Sequence, residues 1–471
     1  MPTHIIKKGL DLPITGEPKQ AIDAESPRVT RVAVVADDFP GMKPRMLVKE
    51  GDAVKRGQPL FEDRKTEGVL HCAPGAGTVK AINRGKKRAL QSVVIELSET
   101  ELAGEPGDDD LQTFDKHQGK PIAELTRDDV VALLVESGQW TALRKRPFSK
   151  VPSPATTPHA LFVNAMDTNP LAAQPETVLA DRMDDFKAGL EVVAKLSGGK
   201  TYLCVAAGSK VANGVTSKAE VHEFGGPHPA GTAGLHIHTL APVSRKRECW
   251  SVGYQDVAAI GALFATGKLD FERVVSLAGP IVEKPRLLRT RQGAALGELF
   301  GEDELKSGPD GKLGEGDYRV IAGSVLGGKR VSMPAFDYLG RYNLQVTLLR
   351  EGRKREFMGW LLPGADKFSI IPTFISSWLG GASKRFDLTT TTNGSPRAMV
   401  PIGMYERVMP MDLLPTFLLR SLMVGDVEQA EKLGALELSE EDLALCSFVC
   451  PGKVNYGPLL RANLDIIEKD G

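Results

Sequence analysis

Between residues 29 and 98 the apolar positions come in short alternating runs broken by Gly and Pro: VTRVAVVA, MLVKEGDAVKRGQPLFEDRK, GVLHCAPGAGTVKAI and RALQSVVIEL. A period of two with dense turn residues predicts strands in a small sandwich or barrel. Beyond an acidic stretch, GEPGDDD, and a short helical segment, DDVVALLVES, the run GQWTALRKRPFSKVPSPATTP reads as a linker. The pattern then turns α/β. HALFVNAM is an apolar run of strand length, and Leu179, Met183, Phe186, Leu190, Val193 and Leu196 follow at three- and four-residue steps. That spacing predicts one helix face, with Asp184, Asp185, Lys187, Glu191 and Lys195 opposite and Gly198 and Gly199 as its stop. TYLCVAA is the next strand. From 268, RVVSLAGPIV, PRLLRTRQGAALGELFG and YRVIAGSVLGG predict strand, short strand, helix and closing strand, with a Gly/Asp-rich loop before the last. RYNLQVTLLREGRKREFMGWLL predicts a hairpin about Glu351 and Gly352, DLTTTTNGSP is a loop, and from about 405 the pattern is helical.

These elements assemble into an α/β multidomain chain. Gly51, Asp52, Val54, Gly57 and Leu60 form a GDxVxxGxxL pattern, and Pro74, Gly77 and Val79 a PxxGxV pattern. Together they resemble the two halves of a biotinyl/lipoyl carrier barrel-sandwich. A carrier would present its modified lysine on the hairpin holding Asp63, Arg64, Lys65 and Thr66. Lys65 lacks the usual carrier neighbours and sits one residue out of step, so an unmodified turn lysine is expected. Residues 160 to 260 are Rossmann-like, and 268 to 332 resemble a soluble-ligand-binding β-grasp domain. The expected units are residues 1–100, barrel-sandwich; 101–262, Rossmann-like; 263–332, β-grasp; 333–404, mixed β and loop; and 405–471, helical.

A dinucleotide site needs glycines after the first strand so that backbone can approach a pyrophosphate. Here the turn is MDTNPLAAQP, with no glycine and two prolines. The later FGGPHPAGTAG does not fit the GxGxxG pattern, and its prolines remove backbone donors. Around it lie His222, His228, His236 and His238. On a strand His236 and His238 would share a face, so a metal is chemically possible, but no Cys or second HxH pair completes a ligand set; turn-capping roles are expected and no metal is assigned. LCSFVCPGK places Cys446 and Cys450 before Pro451, the end of a ferredoxin run, whose two earlier ligand positions hold Leu443 and Glu440. Two thiolates do not complete a four-cysteine shell. On a helix Cys446 and Cys450 would share a face as a core stripe. No nucleophile elbow, P-loop or HExxH is present.

Charge adds little: 59 Lys plus Arg against 60 Asp plus Glu leave a net charge of −1, with no global field for nucleic acid or an anionic membrane. The basic runs at Arg84 to Arg88, Arg144 to Lys150 and Arg245 to Arg247 read as solvated faces or loops. The most apolar windows, AAIGALFATG and FSIIPTFISSWLGG, fall short of the roughly 20 residues that span a bilayer. IIPTFISSWLGG is either partner- or membrane-facing or buried in the chain's own core. MPTHIIKKGLDLPI meets an acid and a proline too early for a secretory signal. Five cysteines, an odd number, fit reduced thiols in a cytosolic protein.

KKGLDLPITGEP, LVKEGDAVKRGQPLFEDRK, RALQSVVIE, ALRKRPFSKVP, AMDTNPLAA, GGPHPAG, MVPIGMYERVMP, EDLALCSFVCPGK and YGPLLR together resemble the A subunits of the bacterial sodium-translocating NADH:quinone oxidoreductases (Na+-NQR), from Lys7 to the C-terminal helices. The resemblance implies a peripheral subunit on the cytoplasmic side of the inner membrane, with five other subunits for partners. That complex passes electrons from NADH through flavins and iron centres to ubiquinone and pumps sodium ions. No cofactor or complete catalytic site is expected on this chain. A contribution to quinone binding is expected from two loops that offer aromatic or apolar surface beside hydrogen-bond donors: Phe39, Pro40, Gly41 and Met42, and Trp140, Arg144 and Phe148. The same aromatics would equally suit packing at a domain junction. A structural scaffold without quinone contact, or a stand-alone flavin or NADH oxidoreductase, are the alternatives.

Overall fold

The alternating runs of the N-terminal region form two antiparallel sheets over a common core. The computed structural model describes residues 1–213, 215, 218–306, 316–331, 333–353, 358–379, 381 and 383–470. One sheet orders Arg31–Val35, Leu90–Leu97, Gly77–Arg84 and Ala53–Val54, the other Pro44–Met46, Pro59–Asp63 and Leu70–Cys72. Val32, Val79, Val93 and Ile95 meet Leu60 and Phe61 between them. The GDxVxxG and PxxGxV glycines have steric causes: Gly57 has φ +89° and sits against Leu269, and a Cβ at Gly77 would stand 2.0 Å from the Glu96 carbonyl oxygen. Lys65 is exposed in the turn between Pro59–Asp63 and Leu70–Cys72.

The α/β region is built on a six-stranded sheet ordered Thr3–Ile5, Ala219–Gly225, Lys200–Ala206, Ala160–Ala165, Cys249–Gly253, Arg144–Arg146. All neighbours are parallel except the last pair. Counted from residue 160, the four central strands lie in the order 3-2-1-4, so strand order reverses between Ala160–Ala165 and Cys249–Gly253. The predicted amphipathic helix is Met183–Ala194, and it buries Phe186, Leu190 and Val193. It packs on Tyr254–Thr266 at backbone contact: a Cβ at Gly189 would lie 1.8 Å from the Val257 carbonyl oxygen, and one at Gly261 1.9 Å from that of Asp185.

A five-stranded sheet follows, ordered Arg286–Arg291, Glu272–Ala278, Gln345–Arg350, Tyr318–Ala322, Lys329–Arg330. The chain closes in helices, among them Pro415–Val424, Ala444–Val449 and Tyr456–Asp470, around Tyr405, Leu418, Leu443 and Leu460. Among the described residues no helix is long and apolar enough to cross a membrane.

Three local expectations are corrected, and a fourth falls partly outside the described residues. The run from Gly138 to Pro158 is not a loose linker: Trp140 and Leu143 are fully buried, and Arg144–Arg146 joins the sheet as its antiparallel edge. The predicted helix after Arg291 is a single 3-10 turn, Leu296–Glu298, because Gly293, Gly297 and Gly301 recur through it and each disfavours helix. The return arm of the predicted hairpin about Glu351 includes 354–357, outside the described residues; before it, Arg350 bridges to Thr389 of the Thr-rich loop. His236 and His238 lie on a helix, Ala233–Leu240, not on a strand.

Candidate functional site

In open α/β sheets the crevice outside the strand C-termini at the switch of strand order is where ligands are held, because the flanking loops diverge there. This chain has a cleft of about 260 Å³ at that place. Asn164, Met166 and Asp167 enter it from the end of Ala160–Ala165, and Ser251 to Asp256 from the end of Cys249–Gly253 and the start of the next helix. The loops at Gly323 to Gly328 and Arg341 to Gln345, from the following sheet, close the opposite wall. Two helices, Ala233–Leu240 and Tyr254–Thr266, present N-termini to this space, and neither has a side-chain cap.

One wall is cationic. The Asp256 carboxylate receives hydrogen bonds from two guanidiniums, Arg273 and Arg341, the latter at 2.6 Å; both arginines are buried. One carboxylate against two guanidiniums leaves a positive charge inside the protein. Burial, reinforced by repulsion from Arg341, accordingly depresses the pKa of Arg273. Arg341 is also fixed through its backbone N–H, which donates to Asp38 Oδ2 at 2.7 Å. Next to it the Arg144 guanidinium stacks 4.9 Å from the centroid of the Tyr342 ring. No carboxylate lies within ion-pair distance of Arg144 among the described residues. Burial raises the Tyr342 phenol to about 12, so it stays neutral, and its hydroxyl donates to the Thr141 carbonyl at 2.8 Å.

The other wall is acidic. Arg146 donates to Asp442 at 2.6 Å, Glu441 at 3.0 Å, Ser439 at 2.8 Å and the Glu437 carbonyl at 2.7 Å, tying the edge strand to the C-terminal helices. Burial holds Asp167 above the ordinary carboxyl range, although it accepts hydrogen bonds from the Asn169 backbone and side chain. Asp167 stands where a dinucleotide fold would offer glycine backbone to a pyrophosphate. A half-buried carboxyl there does not fit that group.

Of the seven residues singled out in the two loops, only Arg144 lines the cleft. Phe39 is buried, edge-on to His71 at 4.3 Å and 6.1 Å from Tyr342. Pro40 and Met42 are half-buried and Gly41 is exposed beside the Lys150 side chain. Trp140 has no exposed surface; its indole N–H donates to the Pro152 carbonyl at 2.8 Å and its ring meets Trp250 edge-on. Phe148 packs against the C-terminal helices, and its carbonyl accepts from Arg461 at 2.8 Å. The loops, about a hundred residues apart in sequence, thus meet at Gly41 and Lys150 and share Tyr342. Tyr342, Arg341 and Arg273 escaped the sequence reading. The one available signal was Asp256, an acid inside the apolar run YQDVAAIGALF.

The ferredoxin-like motif has been rebuilt as core. Cys446 lies on Ala444–Val449, whereas Cys450 is beyond its end in extended conformation, so the two do not share a helix face. Both are buried. Cys450 Sγ lies 3.2 Å from the Tyr405 hydroxyl and 3.4 Å from that of Tyr456, which donates to Tyr405 at 3.0 Å. Burial raises the Cys450 pKa, but those hydroxyls and the Val454 and Gly452 N–H groups outweigh it and bring it below the usual thiol value. Two phenols at the sulfur and a buried Leu443 do not fit an iron–sulfur cluster. The histidines make separate contacts: His222 is 3.0 Å from His4, His228 is 3.1 Å from Thr168, His236 is 2.9 Å from the Ala230 carbonyl, and His238 is 2.7 Å from Glu437. Among the described residues no three His, Cys, Asp or Glu side chains are grouped for a metal ion.

Three family descriptions match along the chain: NqrA N-terminal barrel-sandwich hybrid domain over residues 4–98, NqrA second alpha/beta domain over 125–269, and NQRA C-terminal domain over 274–333. The chain is 54% identical over 466 residues to the A subunit of the Na(+)-translocating NADH-quinone reductase of Marinomonas sp. (strain MWYL1), covering 99% of both chains. It is 52% identical to the protein of that name from Saccharophagus degradans and 51% to that from Neisseria meningitidis serogroup A, each over 99% of both chains. With this identity over the full length of those relatives, the chain belongs to the NqrA family, the A subunits of the Na(+)-translocating NADH-quinone reductases.

Proposed function

We propose that this chain is the peripheral, cofactor-free A subunit of a six-subunit complex that oxidises NADH, reduces ubiquinone and pumps sodium ions, and that it lies on the cytoplasmic side of the bacterial inner membrane. Flavins and iron centres then belong to the other subunits. The full-length identity of 54% supports membership of such a complex. In this reading residues 1–100, 101–262, 263–332, 333–404 and 405–471 are its units.

The chain also contributes to quinone contact, and the observation that carries this is the meeting of two distant loops at Gly41 and Lys150. Pro40 and Met42 offer half-exposed apolar surface there, and the nearby Lys150 ammonium can donate to a quinone carbonyl. Phe39, Trp140 and Phe148 support the loops from within the protein, and Arg144 holds Tyr342 behind them. The test is photolabelling of the assembled complex with a photoreactive quinone, followed by peptide mapping. Label on residues 39–42 or 140–150 that excess ubiquinone removes is expected; label confined to the other subunits would leave this chain as a scaffold.

A further inference from the structure

We propose that the cleft at the strand-order switch is a binding site for a small phosphate ester, separate from the quinone-contacting lip. Four observations meet there. The cleft lies where an α/β sheet holds its ligands, and the polar side chains of Arg144, Asn164, Asp167 and Arg341 line it. Its cationic wall keeps a guanidinium, that of Arg144, stacked on Tyr342 with no carboxylate within ion-pair distance among the described residues. Behind it Arg273 and Arg341 share one acid, Asp256, so the wall is positive overall. Ser149, also lining the cleft, is 97% buried and its Oγ has no hydrogen-bond partner among the described residues, an unmet bond at the cavity edge.

The two uncapped helix N-termini add backbone N–H donors to the same space. A tetrahedral dianion suits donors arriving from several directions, and a guanidinium fork suits its oxygens. The remainder of the cleft fixes the rest of the ligand. Glu441 and Asp442 share Arg146, and Asp167 with Asn164 and Asn169 completes an acceptor-rich side. That side repels a second anionic group and welcomes hydroxyl or amine donors. A phosphorylated polyol or nucleoside monophosphate matches this polarity; a dinucleotide, whose pyrophosphate would meet Asp167, does not. A bare quinone ring leaves most of these polar groups unmatched.

Phosphorus NMR and calorimetry on the full chain, with inorganic phosphate and AMP as probes and chloride at equal ionic strength as control, test the site. Saturable binding of phosphate, with AMP held more tightly, is expected. Arg144→Gln should weaken both by about tenfold, the loss of one charge-assisted hydrogen bond. Ser149→Ala, a smaller change, should weaken both by a lesser factor and stands in if Arg144→Gln does not fold. Absence of saturable binding, or affinities unchanged in both variants, would overturn the assignment. AMP no tighter than phosphate would overturn the ester. Met42→Ala, at the lip, should leave phosphate binding intact, so the two sites succeed or fail separately.

Discussion

His71 lies between two phenylalanine rings, stacked on Phe61 at 4.5 Å and edge-on to Phe39, and its Nδ1 has no partner among the described residues. Burial, aided by the Arg341 charge, lowers its pKa from 6.5 to about 3. The folded chain therefore keeps this ring neutral while the unfolded chain protonates it, so stability falls as pH drops from 6.5 toward 3. At pH 5 the group costs about 2 kcal/mol relative to pH 7. A His71→Phe variant, which keeps a flat ring in the same slot, is expected to narrow the gap between urea-unfolding free energies at pH 7 and pH 5 by that amount. An unchanged gap would mean that the ring takes a proton inside the fold without penalty. Nothing in LHCAPG distinguishes this histidine from a surface one; its state is set by Phe39 and Arg341, which only the tertiary structure brings near.

At the scale of elements, the pairing of Met183–Ala194 with Tyr254–Thr266 rests on two glycines that let backbones touch. Gly261→Ala puts a methyl 1.9 Å from the Asp185 carbonyl oxygen, and the helices must separate to admit it. The expected loss is about 2 kcal/mol, an overpacking cost exceeding the small gain in helix propensity from alanine. Thermal unfolding of the purified chain would show it as a lower midpoint, and a raised midpoint would refute the close-contact account. The periodic helix and the strands HALFVNAM and TYLCVAA were legible in the sequence because their burial is one-sided or continuous, a local property. The 3-10 turn at Leu296–Glu298, the edge strand Arg144–Arg146 and the helix at Ala233–Leu240 were not. The 3-10 turn follows from the recurrence of Gly293, Gly297 and Gly301, and the other two are decided by partners far along the chain: Arg146 by Ser439 and Asp442, His238 by Glu437. The cleft was illegible for the same reason. Its cationic wall draws Arg144, Asp256, Arg273 and Arg341 from separate segments, and only the apolar setting of Asp256 hinted at a buried charge.

For the whole molecule, the question is what surface one component of a larger assembly leaves uncovered when it stands alone. Residues 358–379 concentrate apolar side chains in water: Met358, Leu361, Leu362, Ile371, Ile375, and above all Trp378 and Leu379, 80% and 76% exposed. Most described residues of the segment IIPTFISSWLGG thus lie outside this chain's core, although Ile370 packs against the C-terminal helices and Ser376 is buried. Scattered apolar residues are ordinary on a surface, but a run of seven within 22 residues is the kind of patch that marks a contact. We propose that a partner subunit of the complex covers it. Trp378→Ser combined with Leu379→Ser removes the two most exposed groups without touching a buried contact, so the melting temperature of the isolated chain should not move. Tryptophan anchors at interfaces commonly contribute about 2 kcal/mol or more, and losing one with its neighbour should lower recovery of the chain with the other subunits by about tenfold or more. Co-purification from native membranes measures this directly. Full recovery of the complex with the double variant would remove the patch from the interface, and a fallen melting temperature would show that it serves the chain's own fold.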